Sequence, residues 1–484
     1  MKKRELISIV FVMLLILVLV MDVALLLPNE VLIAADIDIY FDAIGLLIGI
    51  YTIINGGSIL IFGYLADKIN RKRILIIAGL LWSVAAILHI FIFDFWQLIL
   101  LRLLAAIATS VATPIVISYL ADIISPKSRS KSLAFWGLIS SFASIVAGVI
   151  ALAFNPIDYS ALESLTIPEK INTIQFLYPE FLHTWTYPYF YLGIFAIIIT
   201  ILAFFFIIEP KRASKEEFFQ ELLAQEKYSY TYKITIKDLK FIFTRKSNFF
   251  LIMNFFDVIF VGLFLAYIFP YINLELGINF IDLRVIVFLL FALVLGLIIG
   301  QFILAHWGDK RFQKGDINGR VKVAVICSIA TIPFLMSAFA MSPKLSNNSF
   351  FFNTIIVNDT LFWVFWLLYS SLLGIGIAFE MGIGPNWYSS VIDVNYPENR
   401  GSMIAIASFV DAIGRAIGAI IGGIVVTATG SFSATIFWST LIFGSISTIF
   451  WIPLFYTSKK DLMDVRNVLK ERAAKMQPNN PDEK

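Results

Sequence analysis

A few ionisable or amide side chains interrupt otherwise apolar runs of this 484-residue chain: Asp22, Arg102, Asn254, Asp257, Glu380, Asp411 and Arg415. A charge placed inside apolar surroundings is costly, so each is a candidate for binding a solute or carrying a proton. A carboxylate that gains and loses a proton in turn is what proton coupling requires. An arginine attracts an anion. Asp411 and Arg415 are four residues apart in ASFVDAIGRAIGAIIGG and share one helix face. They form either a structural ion pair or a switchable one. In the second case a substrate anion competes for Arg415, or a proton on Asp411 releases it. Asn254, three residues from Asp257, could share its face. Phe379, Trp387 and Tyr388 near Glu380 are cavity walls or, more simply, helix packing.

The elements that must position these groups follow from composition. Hydrophobic residues make up 59% of the chain and charged residues 15%, against roughly 45–50% and 25% in soluble proteins. Mean hydropathy is +0.85. A membrane helix needs about 20 apolar residues. Runs such as ISIVFVMLLILVLVM do not alternate as barrel strands would. The sequence therefore predicts an all-α polytopic membrane protein with spans at 6–33, 44–66, 74–93, 97–121, 132–154, 187–208, 248–271, 283–307, 321–341, 360–391, 402–428 and 432–456. The opening MKKRE and its long apolar run read as a retained first span, with no small-residue cleavage site.

These spans predict two six-helix halves, 1–208 and 248–456, joined by a cytosolic stretch at 209–247 and ended by a tail at 457–484. Residues 209–227 read as a polar helix. Residues 228–247 mix aromatics with Lys and Arg and suit either a linker or a segment on an anionic leaflet. The long aromatic loop at 155–186 is expected to pack over the mouth of the protein. Lys and Arg collect in cytoplasmic loops. They lie at one end of the bundle, as in Lys2, Lys3, Arg4, Lys127 and Lys131. The opposite loops are acidic, with Asp36, Asp38, Asp42, Asp94 and Glu180. Both termini are thus expected in the cytosol, in a plasma membrane.

Net charge is only +3. No nucleic-acid partner is expected. Cys327 is the single cysteine, and His89, His183 and His306 are scattered, so no metal site is expected. There is no G-x4-G-K-[ST], which leaves nucleotide-driven transport unsupported. Neither a cofactor nor enzymatic activity is expected.

The chain repeats itself. Asp122 to Arg129 and Asp393 to Arg400 both read D-x3-P-x2-R. GYLADK, from Gly63 to Lys68, matches AHWGDK, from Ala305 to Lys310. Each pair lies in corresponding loops of the two halves. Such repeats place a substrate site between halves near the membrane midplane.

GYLADKINRKR, from Gly63 to Arg73, resembles the signature of the major facilitator superfamily. The resemblance extends over about 6–456. Asn70 stands where the family usually has Gly; as a residue that tolerates the left-handed conformation, it should keep the turn. Gly63 is expected to admit a neighbouring helix closely. By resemblance, Asp67 meets the N-terminal end of span eleven, near Gly401 and Ser402, in the outward-facing state. Arg71 and Asp122 complete that cytoplasmic charge relay, with Arg73 and Arg129 in the same motifs. Asp309, Lys310, Asp393 and Arg400 are the counterparts. Arg102 matches a characteristic arginine of span four, although the Gly expected four residues later is Ala106. The first 150 residues are most similar to spinster-like transporters, through Met21-Asp22, the signature and the Ser118 to Arg129 stretch; Glu209-Pro-Lys-Arg is similar too. That branch is associated with lysolipid and sphingoid-phosphate export. Here Val23 replaces its span-one Arg, and Thr109 replaces its span-four glutamate. Adding the 271-residue repeat offset to 109 gives 380, a glutamate, so the missing carboxylate reappears in span ten.

The expected function is secondary transport of a small organic solute by alternating access in the lipid bilayer, coupled to protons, by a monomer. Export of amphipathic or anionic compounds such as lysolipids is the first reading. A multidrug, organic-anion or sugar permease is the alternative, and a ligand sensor of the same fold the third.

Overall fold

The fold comes from a computed structural model that describes residues 3–123, 126–162, 165–209, 244–276, 283–342, 359–395 and 397–476. Among the described residues the regular structure is entirely helical. The first crossing comprises α1 (Lys3–Leu26) and α2 (Glu30–Asp36). They part at Leu27–Asn29, where Pro28 lacks a backbone donor. α3 (Phe41–Lys68) and α4 (Arg71–Leu88) follow. The fourth crossing divides into α5 (Phe95–Thr109) and α6 (Ala112–Ile123), and α7 (Pro126–Ala153) and α9 (Tyr187–Phe206) flank a loop that contains α8 (Ile167–Leu177).

The seventh crossing is α10 (Lys246–Ile252), α11 (Phe255–Pro270) and a π-helical turn, Tyr271–Glu275. The eighth is α12 (Leu283–Ile298), a π-helical segment at Ile299–Leu304 and α13 (Ala305–Gln313). Then come α14 (Gly319–Ala340), α15 (Asp359–Val394), α16 (Pro397–Thr429), α17 (Phe432–Trp451) and α18 (Leu454–Met476). Eleven crossings among the described residues meet the length and apolarity a membrane demands. The 28-residue α7 occupies the remaining predicted span. Residues 457–476, in the expected tail, belong to α18.

Two compact units arise by contact. The first contains the described residues of Met1–Tyr232 with Gly262–Ile281 and Arg415–Phe432; the second contains those of Lys233–Val261, Asp282–Gly414 and Ser433–Lys484. The first unit buries Val12, Leu15, Leu75, Val111, Ile115 and Ala203 in one cluster. The second buries Ala324, Cys327, Ile383, Trp387, Val391 and Met403. The expected polar helix and interfacial segment of 209–247 lie outside the described residues from 210 to 243.

Local chemistry explains where helices start. Asn70 has φ −63° and ψ 119°, and its side chain accepts from the Arg73 N–H at 3.2 Å. Its value at this position is therefore helix capping, not the left-handed tolerance expected above. Glu209 adds a carboxylate oxygen 2.9 Å from the Lys72 N–H, an anion at the positive end of α4.

The 155–186 loop is tied down along its length in the first unit. Asn155 Nδ2 donates to Pro28 O at 3.2 Å, and Gln175 Nε2 to Ala35 O at 2.8 Å. Trp185 Nε1 donates to Asp36 at 2.7 Å, and His183 Nδ1 lies 2.8 Å from the same carboxylate. α8 starts in a capping box between Thr166 and Glu169. The Thr166 backbone N–H, and then its hydroxyl, hold the exposed Glu169 carboxyl below its ordinary value. A lowered folded value means stability present above the unfolded value and lost as pH falls through the folded one. Backbone exchange over the first turn of α8, corrected for intrinsic rates, should therefore quicken on acidification below the usual glutamate range. Glu169→Gln should remove that pH dependence, and an unchanged profile would refute it.

Candidate functional site

In the first unit, Asp22 comes from α1 and Arg102 from α5, 80 residues later. Arg102 Nη2 lies 2.9 Å from Asp22 Oδ2, with the side chains 3% and 1% exposed. Trp82 Nε1 donates to Asp22 Oδ1 at 2.8 Å, and Arg102 Nη1 to the Tyr189 hydroxyl at 3.3 Å. Tyr189 in turn donates to the Asp22 backbone carbonyl at 3.2 Å. The guanidinium also lies over the Tyr51 ring, 4.5 Å from its centroid. Charge, hydrogen bonds and cation–π contact thus occupy Arg102 with protein partners.

Beside this pair, Thr109 sits at the end of α5. Its hydroxyl lies 2.8 Å from the Tyr51 hydroxyl and accepts from Asn55 Nδ2 at 3.0 Å. The chain leaves helical geometry just after it, before α6 begins.

The second unit contains the counterpart positions. The break between α10 and α11 puts Asn254 just ahead of α11 and Asp257 in its first turn. That is where the helix dipole favours negative charge. Asp257 is 6% exposed, Glu380 of α15 8% and Asn254 9%. The Asp257 and Glu380 carboxyl groups are within hydrogen-bonding reach of each other, and Glu380 also meets the Thr331 hydroxyl. Thr331 donates to Cys327 O at 3.0 Å. Asp411 on α16 acts on Asp257 through its charge. Asn254 Oδ1 and Glu380 Oε2 are enclosed without a hydrogen-bond partner among the described residues. Where the first unit opposes Asp22 with a cation, the second opposes Asp257 with another acid.

Arg415 lies four residues beyond Asp411 on α16, with its side chain exposed. Trp387 is a packing residue: its indole N–H donates to Leu251 O at 2.8 Å. On the same helix, Gly414 packs against Phe255, and Gly422 against Leu263 and Tyr267.

Two of the second-half gate residues, Asp309 and Asp393, are joined through a residue outside both loop motifs. Arg320, in the first turn of α14, reaches Asp309 at 2.7 Å and Asp393 at 2.5 Å. Lys310 is exposed beside them. In the first half, Arg71 is buried at the start of α4 and Arg73 is exposed. The side chains of Asp67, Asp122, Arg129 and Arg400 lie outside the described residues. No described atom comes within 4 Å of a Cβ built on Gly63. In the second repeat, a Cβ on Gly308 would collide with Asn386 Oδ1.

At the acidic-loop end of the first unit, two glycines seat main chain on main chain. A Cβ on Gly45 would overlap Ala419 O and one on Gly423 would overlap Phe41 O; midway along α11 and α16, one on Gly262 would overlap the Arg415 backbone. Tyr267 donates to Ala419 O at 2.7 Å, with Phe41 O at 3.3 Å. Phe41 packs edge-on against Phe432 at 5.0 Å. Glu275 accepts from the Phe432 N–H at 2.8 Å, and Lys170 Nζ donates to Leu274 O. A cavity of about 240 Å³ lies beside this seal, lined by Tyr40, Phe41, Ile167, Pro168, Val426 and Thr427.

Eleven apolar crossings among the described residues, with α7 in the place of a twelfth, make this an integral membrane protein. The sequence profile of the Major Facilitator Superfamily matches residues 12–381 and 250–477, and the chain belongs to that family. Its fold is similar to that of a bacterial homologue of the human lysosomal transporter Spinster, solved inward-facing and unoccupied. The TM-score is 0.66 and the identity 17%, over 95% of this chain and 99% of that one. The nucleoside transporter NupG, solved as a point mutant, gives a TM-score of 0.56 and 14% identity, over 93% and 99%. An uncharacterized transporter, BU466, of Buchnera aphidicola subsp. Acyrthosiphon pisum (strain APS) is 31% identical over 114 residues. That alignment spans 23% of this chain and 29% of the relative's length.

Proposed function

We propose that this protein is a proton-coupled secondary transporter that works as a monomer and exports an amphipathic or anionic organic solute of the lysolipid kind. The observation that carries the coupling is the Asp257–Glu380 contact. Two carboxyl groups in hydrogen-bonding contact cannot both ionise, so one proton must sit between them. Meeting takes up a proton and parting releases it. The two carboxyls lie on α11 and α15, each from a different part of the second half, so a rearrangement of these helices moves the proton. Arg102 is already satisfied by Asp22. Arg415 is therefore the arginine that would receive an anionic group. In this reading the six-helix halves 1–208 and 248–456 alternate, and the basic loops and both termini face the cytosol.

The test is reconstitution into liposomes, with lysolipids, sphingoid phosphates, nucleosides, sugars and organic acids as candidate solutes. Solute movement should be accompanied by proton movement, read with a trapped pH dye. Glu380→Gln and Asp257→Asn should abolish the proton signal yet retain solute exchange. Unaltered proton movement in both variants would overturn the coupling. Transport of polar solutes alone would overturn the substrate class.

A further inference from the structure

Within electrostatic reach of Tyr267 in the acidic-loop seal, the first unit buries a carboxyl group that plays no part in the site above. Glu30, the first residue of α2, is 0% exposed. Neither of its oxygens has a hydrogen-bond partner among the described residues. Two amides of the same unit share this condition: Asn29 Oδ1 and both polar atoms of Asn273 are enclosed without partners among those residues. Such groups belong in water or against a hydrogen-bond partner.

The neighbouring ionisable groups do not neutralise Glu30. On α2 itself, Asp36 is taken by His183 and Trp185. On α8, Glu169 caps its own helix, and Lys170 donates to Leu274 O. Around the seal, Glu275 accepts from Ser431 and Phe432. Asp42 lies at the start of α3, beside Tyr40, and its backbone N–H donates to Thr427. His183 and Glu180 lie in the 3-10 segment at Pro179–Thr186, and Tyr271 in the π-helical turn. The group that feels the charge of Glu30 is Tyr267. Its hydroxyl closes the seal on Ala419 O and Phe41 O.

We propose that Glu30 is a second proton-binding site, which holds a proton while the acidic-loop end is sealed and releases it when that end opens. An ionised carboxylate without a partner is not sustained in a dry site. Separating Gly262–Ile281 and Arg415–Phe432 from α2 and α3 would admit water and let the group ionise. Sealing therefore consumes a proton from the acidic-loop side. Acidification of that side favours the sealed form and alkalinisation favours the open one. With one proton involved, the opening equilibrium rises by up to about tenfold per pH unit. This site is separate from Asp257–Glu380 and needs no substrate to act.

Opening can be read from Val426, which is 0% exposed and lines the cavity beside the seal. In a Cys327→Ser background, Val426→Cys supplies the only thiol. Its labelling by a maleimide would be followed across pH, corrected for thiolate fraction. Labelling should accelerate with pH in the parent. With Glu30→Gln it should stay at the slow, low-pH rate throughout. An identical pH profile in parent and Glu30→Gln would overturn the proposal, as would fast labelling of Glu30→Gln at every pH.

A second measurement uses the unmodified protein. Dicyclohexylcarbodiimide attacks protonated carboxyls in apolar surroundings, and peptide mass spectrometry should find Glu30 modified at neutral pH. Its absence would also overturn the assignment. Neither readout depends on transport, so failure here is distinguishable from failure of the coupling proposed for Asp257 and Glu380.

Discussion

Arg102→Gln should destabilise the protein by about 3–5 kcal/mol, the usual cost of removing one partner from a buried ion pair. The magnitude follows from what is left behind. Asp22 is 1% exposed and would keep the Trp82 N–H and the Tyr51 hydroxyl as side-chain donors but no cation. Tyr51 and Tyr189 would lose the cation they surround. Asp22→Asn combined with Arg102→Gln should recover much of the loss, because both charges disappear together and two amides can bond. The measurement is thermal unfolding of the two single variants and the double variant in detergent. A single variant as stable as the parent would show that the pair is not a structural strut. Unchanged stability with lost solute binding would instead return Arg102 to the role expected from sequence, as a substrate ligand.

Gly45→Leu should hold the acidic-loop end open. A Cβ on Gly45 of α3 would overlap Ala419 O of α16, closer than real Cβ atoms approach main chain. A backbone cannot swing aside as the tip of a side chain can. Overpacking costs about 1–3 kcal/mol, which corresponds to roughly a 5- to 150-fold shift between two states that differ in this contact. Maleimide labelling of Val426→Cys should become fast and nearly independent of pH. Gly148→Leu is the control, since no described atom lies within 4 Å of a Cβ there. Equal labelling in both variants would refute the idea that glycine contacts form the seal.

The crossings were legible because length and apolarity alone define a membrane helix; eleven of the expected spans contain one among the described residues, and α7 lies in the twelfth. The breaks within them were less legible. Pro28 signals one, but nothing in Met253-Asn254 or Ser110-Val111 marks the interruptions beside Asp257 and Thr109. Repeat symmetry pointed from Thr109 to Glu380, and the structure brings Glu380 to Asp257. Periodicity relates residues on one helix, so Asp411 and Arg415 could be paired on paper. Asp22 and Arg102 could not, because their helices meet only after folding. Glu30 was passed over because an acid near the end of an apolar run reads as a loop residue. Only burial shows otherwise. Arg320 was hidden by its resemblance to ordinary loop cations, although it reaches both Asp309 and Asp393.

The last helix has a consequence for the order in which the chain matures. Arg245, just before α10, donates to Val394 O at the end of α15 and to Asp461 O, and pairs with Asp464 at 2.7 Å. Asp461 also accepts from the Ser247 N–H at 3.1 Å. One guanidinium thus fastens the entrance of the seventh crossing to α15 and α18. Its carboxylate partner is synthesised 219 residues later. While the chain is still on the ribosome, that arginine waits for a partner not yet made. The second unit closes only after Asp464 has been made, and a nascent chain cut short before Asp461 leaves the clasp open as a mark of incompleteness.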